Sequence, residues 1–206
     1  ATQSIALFTA GKADLAVARG DLNLPANAEA VAILRKNVVV LWSAPGLATK
    51  GRKQSTPRVK TLDALPGHRV GVIGRTEANV KLLRGILKES GIDPDKVAVS
   101  QFATNQTGEM ARDPAIDAFM AVGPLKSKIT VDAIAATAVA RGEPKFLPID
   151  VADAIAKKNP IYESEEIPGS IFNSSPARPA DKIDTVSVSH LIIAPKSLSD
   201  TAVAAF

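Results

Sequence analysis

The hydrophobic and polar positions are most sharply patterned between Arg69 and Gly91, RVGVIGRTEANVKLLRGILKESG. An apolar run, Val70, Gly71, Val72 and Ile73, predicts a short strand buried on both faces. Gly74 and Arg75 turn the chain, and Thr76 is placed to cap the following helix. Along that helix Val80, Leu83 and Leu87, flanked by Leu82 and Ile86, form an apolar stripe at helical spacing. Ser90 and Gly91 stop it, with Gly91 suited to a left-handed C-terminal position. Such a unit brings free N–H groups to the carboxyl end of a sheet, where open α/β folds receive anions and small ligands.

The same patterning extends in both directions. A helix is expected over Ser4–Ala10 and a strand over Asp14–Ala18, with a turn at Arg19-Gly20-Asp21. Ala30–Leu34 and Val38–Trp42 are both strand-like and are split by the polar Arg35-Lys36-Asn37. A polar, basic loop runs from Ala44 to Lys60, carrying Lys50, Arg52, Lys53, Arg58 and Lys60. It suits a solvated flap better than a phosphate or lipid grip. Thr61–Pro66 is a single helical turn. Downstream, strands are predicted at Lys96–Phe102, Ile116–Val122 and Lys145–Ile149, the last with Pro148 marking an edge or bulge. Helices are predicted at Gln106–Ala111, Lys126–Arg141 and Val151–Lys158, the last capped by Asp150. Asn159–Lys182 has no regular pattern. A strong strand follows over Asp184–Ala194, and Ser197-x-x-Asp200 is a capping box for a final helix.

Strands alternating with helices predict an α/β protein with mainly parallel sheets. The apolar strand after the irregular stretch suggests a return to a sheet left earlier. Two lobes joined by crossing strands follow: residues 1–60 with 184–206, and residues 61–183. The helix that opens the chain precedes any strand it can pack on, so a fragment of a longer protein is expected.

Composition narrows the function. The chain has 206 residues, 46% of them hydrophobic and 22% charged, which fits a soluble globular protein. Aromatic residues are 4%, which disfavours base-stacking or sugar-stacking surfaces. The net charge of +4 is mild and suits an anionic small ligand as well as nucleic acid. There is no cysteine, so disulfides, thiol nucleophiles and thiolate metal sites are excluded.

Chemistry for turnover is thin. The two histidines, His68 and His190, are far apart and accompany no HExxH motif, so a metal site is not expected. His68 is expected at the surface, and His190 either in the core or at an inter-lobe cleft. The serines lack a GxSxG elbow, and the chain has neither a Walker A nor a GxGxxG motif. Asp117 is expected to hydrogen-bond at a strand start. No nucleophile, base and orienting group assemble, and an enzyme is not expected.

The order of segments then carries a resemblance. GKADLAVARGD, AVAILRKNVVVLWSA, TLDALPGHRVGVIGRTEANVKLLRGILKESGI, AIDAFMAVGPL and DTVSVSHLIIAPKSLSD together resemble the TAXI-type solute-binding proteins of TRAP transporters. These have the two-lobed type II periplasmic binding protein fold. Leu62–Ile92 is similar to a stretch common across that superfamily, whereas Ile116–Gly123 and Glu166–Ala194 look particular to the TAXI branch. The chain departs from the family at its start, where a first strand and a Ser/Gly-rich turn are missing. It departs again at Gly74-Arg75-Thr76-Glu77, where relatives have a smaller turn.

The resemblance implies a periplasmic receptor that closes two lobes on a small organic anion, a carboxylate or amino acid, and delivers it to membrane transporter subunits. No cofactor, metal or nucleic acid is implied, and an anchor outside this chain is possible in the family. The effector domain of a transcription regulator, which shares the fold, is the competing expectation. The expected ligand contacts are Gly20 and Asp21, Trp42 and Ser43 near the hinge, Gly74, Arg75 and Thr76, then Val122, Gly123 and Pro124, and finally Ser187, Ser189 and His190. Arg75 offers a contact to a carboxylate. Glu77 instead favours an amine or complements the helix terminus.

Overall fold

Two long strands organise the protein, and both are longer than the sequence pattern predicts. In the computed structural model, which describes residues 2–47 and 56–204, the chain opens with α1 (Thr2–Thr9) and β1 (Ala16–Arg19). The first long strand, β2 (Ala28–Ser43), follows. Then come β3 (Arg69–Ile73), α2 (Glu77–Glu89), β4 (Ala98–Phe102), α3 (Thr107–Arg112), β5 (Ala118–Gly123) and α4 (Lys128–Arg141). The remainder is β6 (Lys145–Phe146), α5 (Ala152–Lys158), β7 (Tyr162–Ile167), the short pair β8 (Asn173–Ser174) and β9 (Ala177–Arg178), the second long strand β10 (Ile183–Pro195), and α6 (Asp200–Ala204).

The main sheet runs β1-β10-β2-β5-β3-β4, with β6 added to β2 and β7 to β10. The expected parallel pairing is found in its core, where β3 pairs parallel with both β4 and β5. The long strands join antiparallel: the first part of β2 pairs with β10, and Val38–Ser43 pairs with β5.

Side-chain alternation places β2 between two packed layers. Val39 and Leu41 join Val70, Val72 and Met120 under Leu82, Leu83, Ile86 and Leu87 of α2 and Ile155 of α5. Val38, Val40 and Trp42 face the other way, with Phe119 and Ala121, against Met110 of α3 and Ile134 of α4. A smaller cluster of Phe8, Ala16, Ala18 and Ile193 seats α1.

Four sequence expectations are corrected. The polar Arg35-Lys36-Asn37 does not split β2, because its backbone is paired with β10 throughout and its side chains find partners. Lys36 binds Glu163 and Glu165 at 2.7 and 2.6 Å, and Asn37 Nδ2 donates to the Val188 carbonyl at 3.3 Å. The stretch expected to be irregular contains β7, an acidic edge strand whose Glu163 and Glu165 are those partners of Lys36. Charges of this kind protect a sheet edge and hide its strand character. Two caps also shift: Val151, without a side-chain cap, replaces Asp150 at the start of α5, and Ser199 rather than Ser197 accepts from an α6 amide, that of Ala202 at 3.3 Å.

Gly71 lets β3 pack closely against the layer beside it. A Cβ there would lie 3.1 Å from both Ile116 Cγ2 and Met110 Cγ. Gly71→Ala is expected to destabilise the protein by about 1–3 kcal/mol through overpacking, measured by urea denaturation.

Candidate functional site

A cleft with a cavity volume of about 510 Å³ opens where the carboxyl ends of β3 and β5 face the long strands. That size suits a small organic molecule. Its larger wall is built from Ile73 and Gly74, Ala121 to Pro124, and the amino ends of α2 and α4; Arg19, Leu22, Arg35, Asn37 and His190 oppose it.

Backbone geometry forms the first wall. Gly74 has φ 99°, in the left-handed region, and a Cβ there would lie 3.1 Å from Asn79 Nδ2. The turn therefore requires glycine. Thr76 occupies the capping position of α2 but its side chain does not cap, contrary to expectation. Gln101 Nε2 instead ties the turn down by donating to the carbonyls of Thr76 and Gly74, at 3.0 and 3.3 Å. Ser127 does cap α4: its Oγ accepts from the Thr130 amide at 3.2 Å and lies 2.8 Å from Thr130 Oγ1. First-turn amides lack intrahelical partners and carry the positive end of the helix dipole. Two such ends converge on one cleft.

The opposing wall supplies cations. Buried Arg19 is held by Asp21, Nε to Oδ1 at 2.7 Å and Nη2 to Oδ2 at 2.8 Å, and its Nη1 donates to Asn79 Oδ1. Asn79 in turn donates to the Ile73 carbonyl at 2.9 Å, so one chain of bonds joins β1 to the start of α2 across the cleft. Arg35 and His190 are cross-strand partners, and Arg35 Nε donates to His190 Nδ1 at 3.2 Å. Among the described residues, no Asp or Glu lines this cleft, and no group of His, Asp and Glu is arranged to hold a metal ion.

Burial first, then the neighbouring Arg35 and Arg19, pushes the His190 pKa below its usual value. The folded protein thus disfavours the imidazolium that the unfolded chain forms freely. Stability tied to His190 is full above about pH 6.5 and falls as pH drops below it. His190→Gln is expected to flatten that part of the stability profile, measured as the denaturation midpoint between pH 5 and 8.

Six of the residues expected to contact ligand line the cleft: Gly74, Thr76, Val122, Gly123, Pro124 and His190. The other seven do not line it. Asp21 stands behind Arg19, and Gly20 is pinned to β10 by an N–H bond to the Ser189 carbonyl at 2.8 Å. Trp42 is fully buried, stacked on Phe119 with its Nε1 donating to Thr137 Oγ1, because its position in β2 faces α4. Ser43 is buried and donates to the Val59 carbonyl at 2.5 Å. Ser187 and Ser189 turn toward β7 and donate to Glu165 and Glu163. Arg75 points away and donates to Gln106 Oε1 at 2.9 Å.

The pattern missed Arg19, Arg35, Asn37, Asn79, Ser127 and Thr130. Only Ser127, a serine just before a helix, carried a local signal. Asp117 is placed at the opposite end of the sheet, where it accepts from the Arg69 amide and pairs with His68 at 3.1 Å. The basic positions Lys50, Arg52 and Lys53 lie outside the described residues, while Arg58 reaches Asp117 at 3.9 Å. Among the described residues, no helix is long and apolar enough to cross a membrane.

A family model described as NMT1/THI5 like matches residues 1–140. No curated protein sequence matches the chain. Solved structures with a similar course include the GluR0 ligand binding core in complex with L-glutamate, at 9% identity and a TM-score of 0.46, over 98% of this chain and 68% of that one. The periplasmic aliphatic sulphonate binding protein SsuA from Escherichia coli matches at 15% identity and a TM-score of 0.42, over 77% of this chain and 54% of that one. Full-length CbnR, in complex with its target DNA, matches at 16% identity and a TM-score of 0.48, over 98% and 53%. The chain thus spans about half the length of SsuA and of CbnR. The α/β class is the expected one; the narrower TAXI-type resemblance has no counterpart among these matches.

Proposed function

The chain belongs to the NMT1/THI5-like family, and from that premise we propose that it is the solute-capturing part of an extracytoplasmic receptor. Its ligand is a small organic anion held in the cleft between the strand ends and the long strands, without turnover. The single observation that carries this reading is the charge of the cleft. Two helix amino ends, Arg19 and Arg35 converge on it, and none of its lining residues among those described is acidic. Anions gain from such a setting without a titrating group or metal. Delivery to the membrane subunits of a transporter, in the periplasm, completes the proposal; the TRAP type is one candidate for that transporter.

A thermal-shift screen of the protein against carboxylates, sulfonates, phosphate and amines tests it. Anions at about 100 times their dissociation constant are expected to add roughly 2.7 kcal/mol of stability, visible as a raised midpoint. Stabilisation by amines alone contradicts the proposal.

A further inference from the structure

We infer that the cleft selects anions that carry no free ammonium group, and that Arg35 is the residue that reads the acid. The inference rests on the reading of the cleft as a solute site and narrows the ligand from organic anions, amino acids included, to deaminated acids.

An α-amino acid brings an ammonium group along with its carboxylate. A site that desolvates the ammonium must return a carboxylate or several acceptors, because a buried cation without a partner is strongly disfavoured. The lining described above has no carboxylate to return, only neutral oxygens such as those of Asn37, Thr76 and Thr104. Asp21, which stands just behind it, is itself buried and is taken by Arg19 through both carboxylate oxygens, at 2.7 and 2.8 Å. Freeing it would strand the Arg19 guanidinium. Glu163 and Glu165 are engaged by Lys36 at 2.7 and 2.6 Å and do not line the cleft. The hydroxyls of Ser127 and Thr130 are committed to each other in the cap of α4. The remaining lining adds repulsion, since an ammonium there meets Arg19, Arg35 and the positive ends of α2 and α4.

Arg35 differs from Arg19 in what it has left to offer. Arg19 donates Nη1 to Asn79 and Nη2 to Asp21, and its Nε sits in ion-pair contact with the same carboxylate. The hydrogen bond of Arg35 to His190 uses Nε alone, at 3.2 Å. That bond orients the guanidinium and leaves its terminal nitrogens as a planar fork, the geometry that takes a carboxylate or sulfonate in two parallel bonds.

Isothermal titration calorimetry with matched pairs that differ only in the amino group, glutarate with glutamate, succinate with aspartate and propionate with alanine, tests the inference. At least one deaminated acid is expected to bind, with its amino partner at least about tenfold weaker. Arg35→Gln is expected to weaken that acid by a further factor of about ten or more while leaving the far-UV circular dichroism unchanged. Equal or tighter binding of the amino partners overturns the selectivity and leaves the cleft a solute site. Binding that survives Arg35→Gln overturns the role of Arg35. Silence across both members of every pair, and across the wider panel of anions, removes the solute site and this inference with it.

Discussion

Arg141→Met is expected to cost about 3–5 kcal/mol, most of the stability of an ordinary domain. The guanidinium is buried at the end of α4 and closes three carbonyls of the segment that leads into β5. Its Nε donates to Ala111 at 2.6 Å, Nη1 to Ile116 at 2.7 Å and Nη2 to Asp113. It also lies 5.4 Å from the centroid of the Phe119 ring. Methionine fills much of the volume but strips the buried Ala111 and Ile116 carbonyls of this donor, each costing about 1–3 kcal/mol where water cannot reach, while the Asp113 carbonyl keeps the Ile116 amide at 3.2 Å. Arg141→Lys is expected to recover less than half the loss, because one ammonium cannot reproduce a three-way planar fork. Urea denaturation of both variants checks this; a loss below about 1 kcal/mol for Arg141→Met would show that water satisfies the carbonyls.

Arg19→Met has the second large effect and separates folding from binding. Removing the guanidinium leaves Asp21 as a buried carboxylate without a partner and breaks the link through Asn79 to α2. About 3 kcal/mol of stability is expected to go with it. Adding Asp21→Asn removes the stranded charge, so the double variant is expected to regain most of the stability, read by the same denaturation experiment. Affinity for an anion is not expected to return, since the cleft then lacks one of its two cations. A double variant that binds as well as the parent would reduce Arg19 to a structural role.

Much of the fold was legible because it rests on local regularities. The Val70–Ile73 run, the stripe from Leu82 to Leu87 and the stop at Gly91, whose φ is 74°, all appear in the structure as β3, α2 and a left-handed turn. What stayed hidden depends on partners distant in sequence. Arg35 and Lys36 look like a break because a polar triplet interrupts an apolar pattern; the backbone pairing with β10, and the ion pairs of Lys36 with Glu163 and Glu165 of β7, make them strand residues. Tyr162–Ile167 looks irregular for the matching reason, since its glutamates answer Lys36 from the far side of β10.

The site divides along the same line. Gly74, Gly123 and Pro124, which line the cleft, are legible because strand-end turns are visible in sequence and α/β folds use them. Arg19 and Asn79, 60 positions apart, meet only after folding, and nothing local marks either one. Trp42 and Ser43 are expected at the cleft only from their position near the hinge. The alternation of β2 turns Trp42 into the core, toward Phe119 and Thr137, and closes Ser43 against the Val59 carbonyl.

The central claim is that the amino ends of α2 and α4 receive an anion together with Arg35. Amide chemical-shift mapping by ¹⁵N NMR during titration with a stabilising acid tests it most directly. The account predicts the largest shifts at the first-turn amides Glu77, Ala78, Lys128 and Ile129, with accompanying shifts at Arg35 and His190. Shifts confined to the surface around Arg58 and His68, at the far end of the sheet, would contradict it.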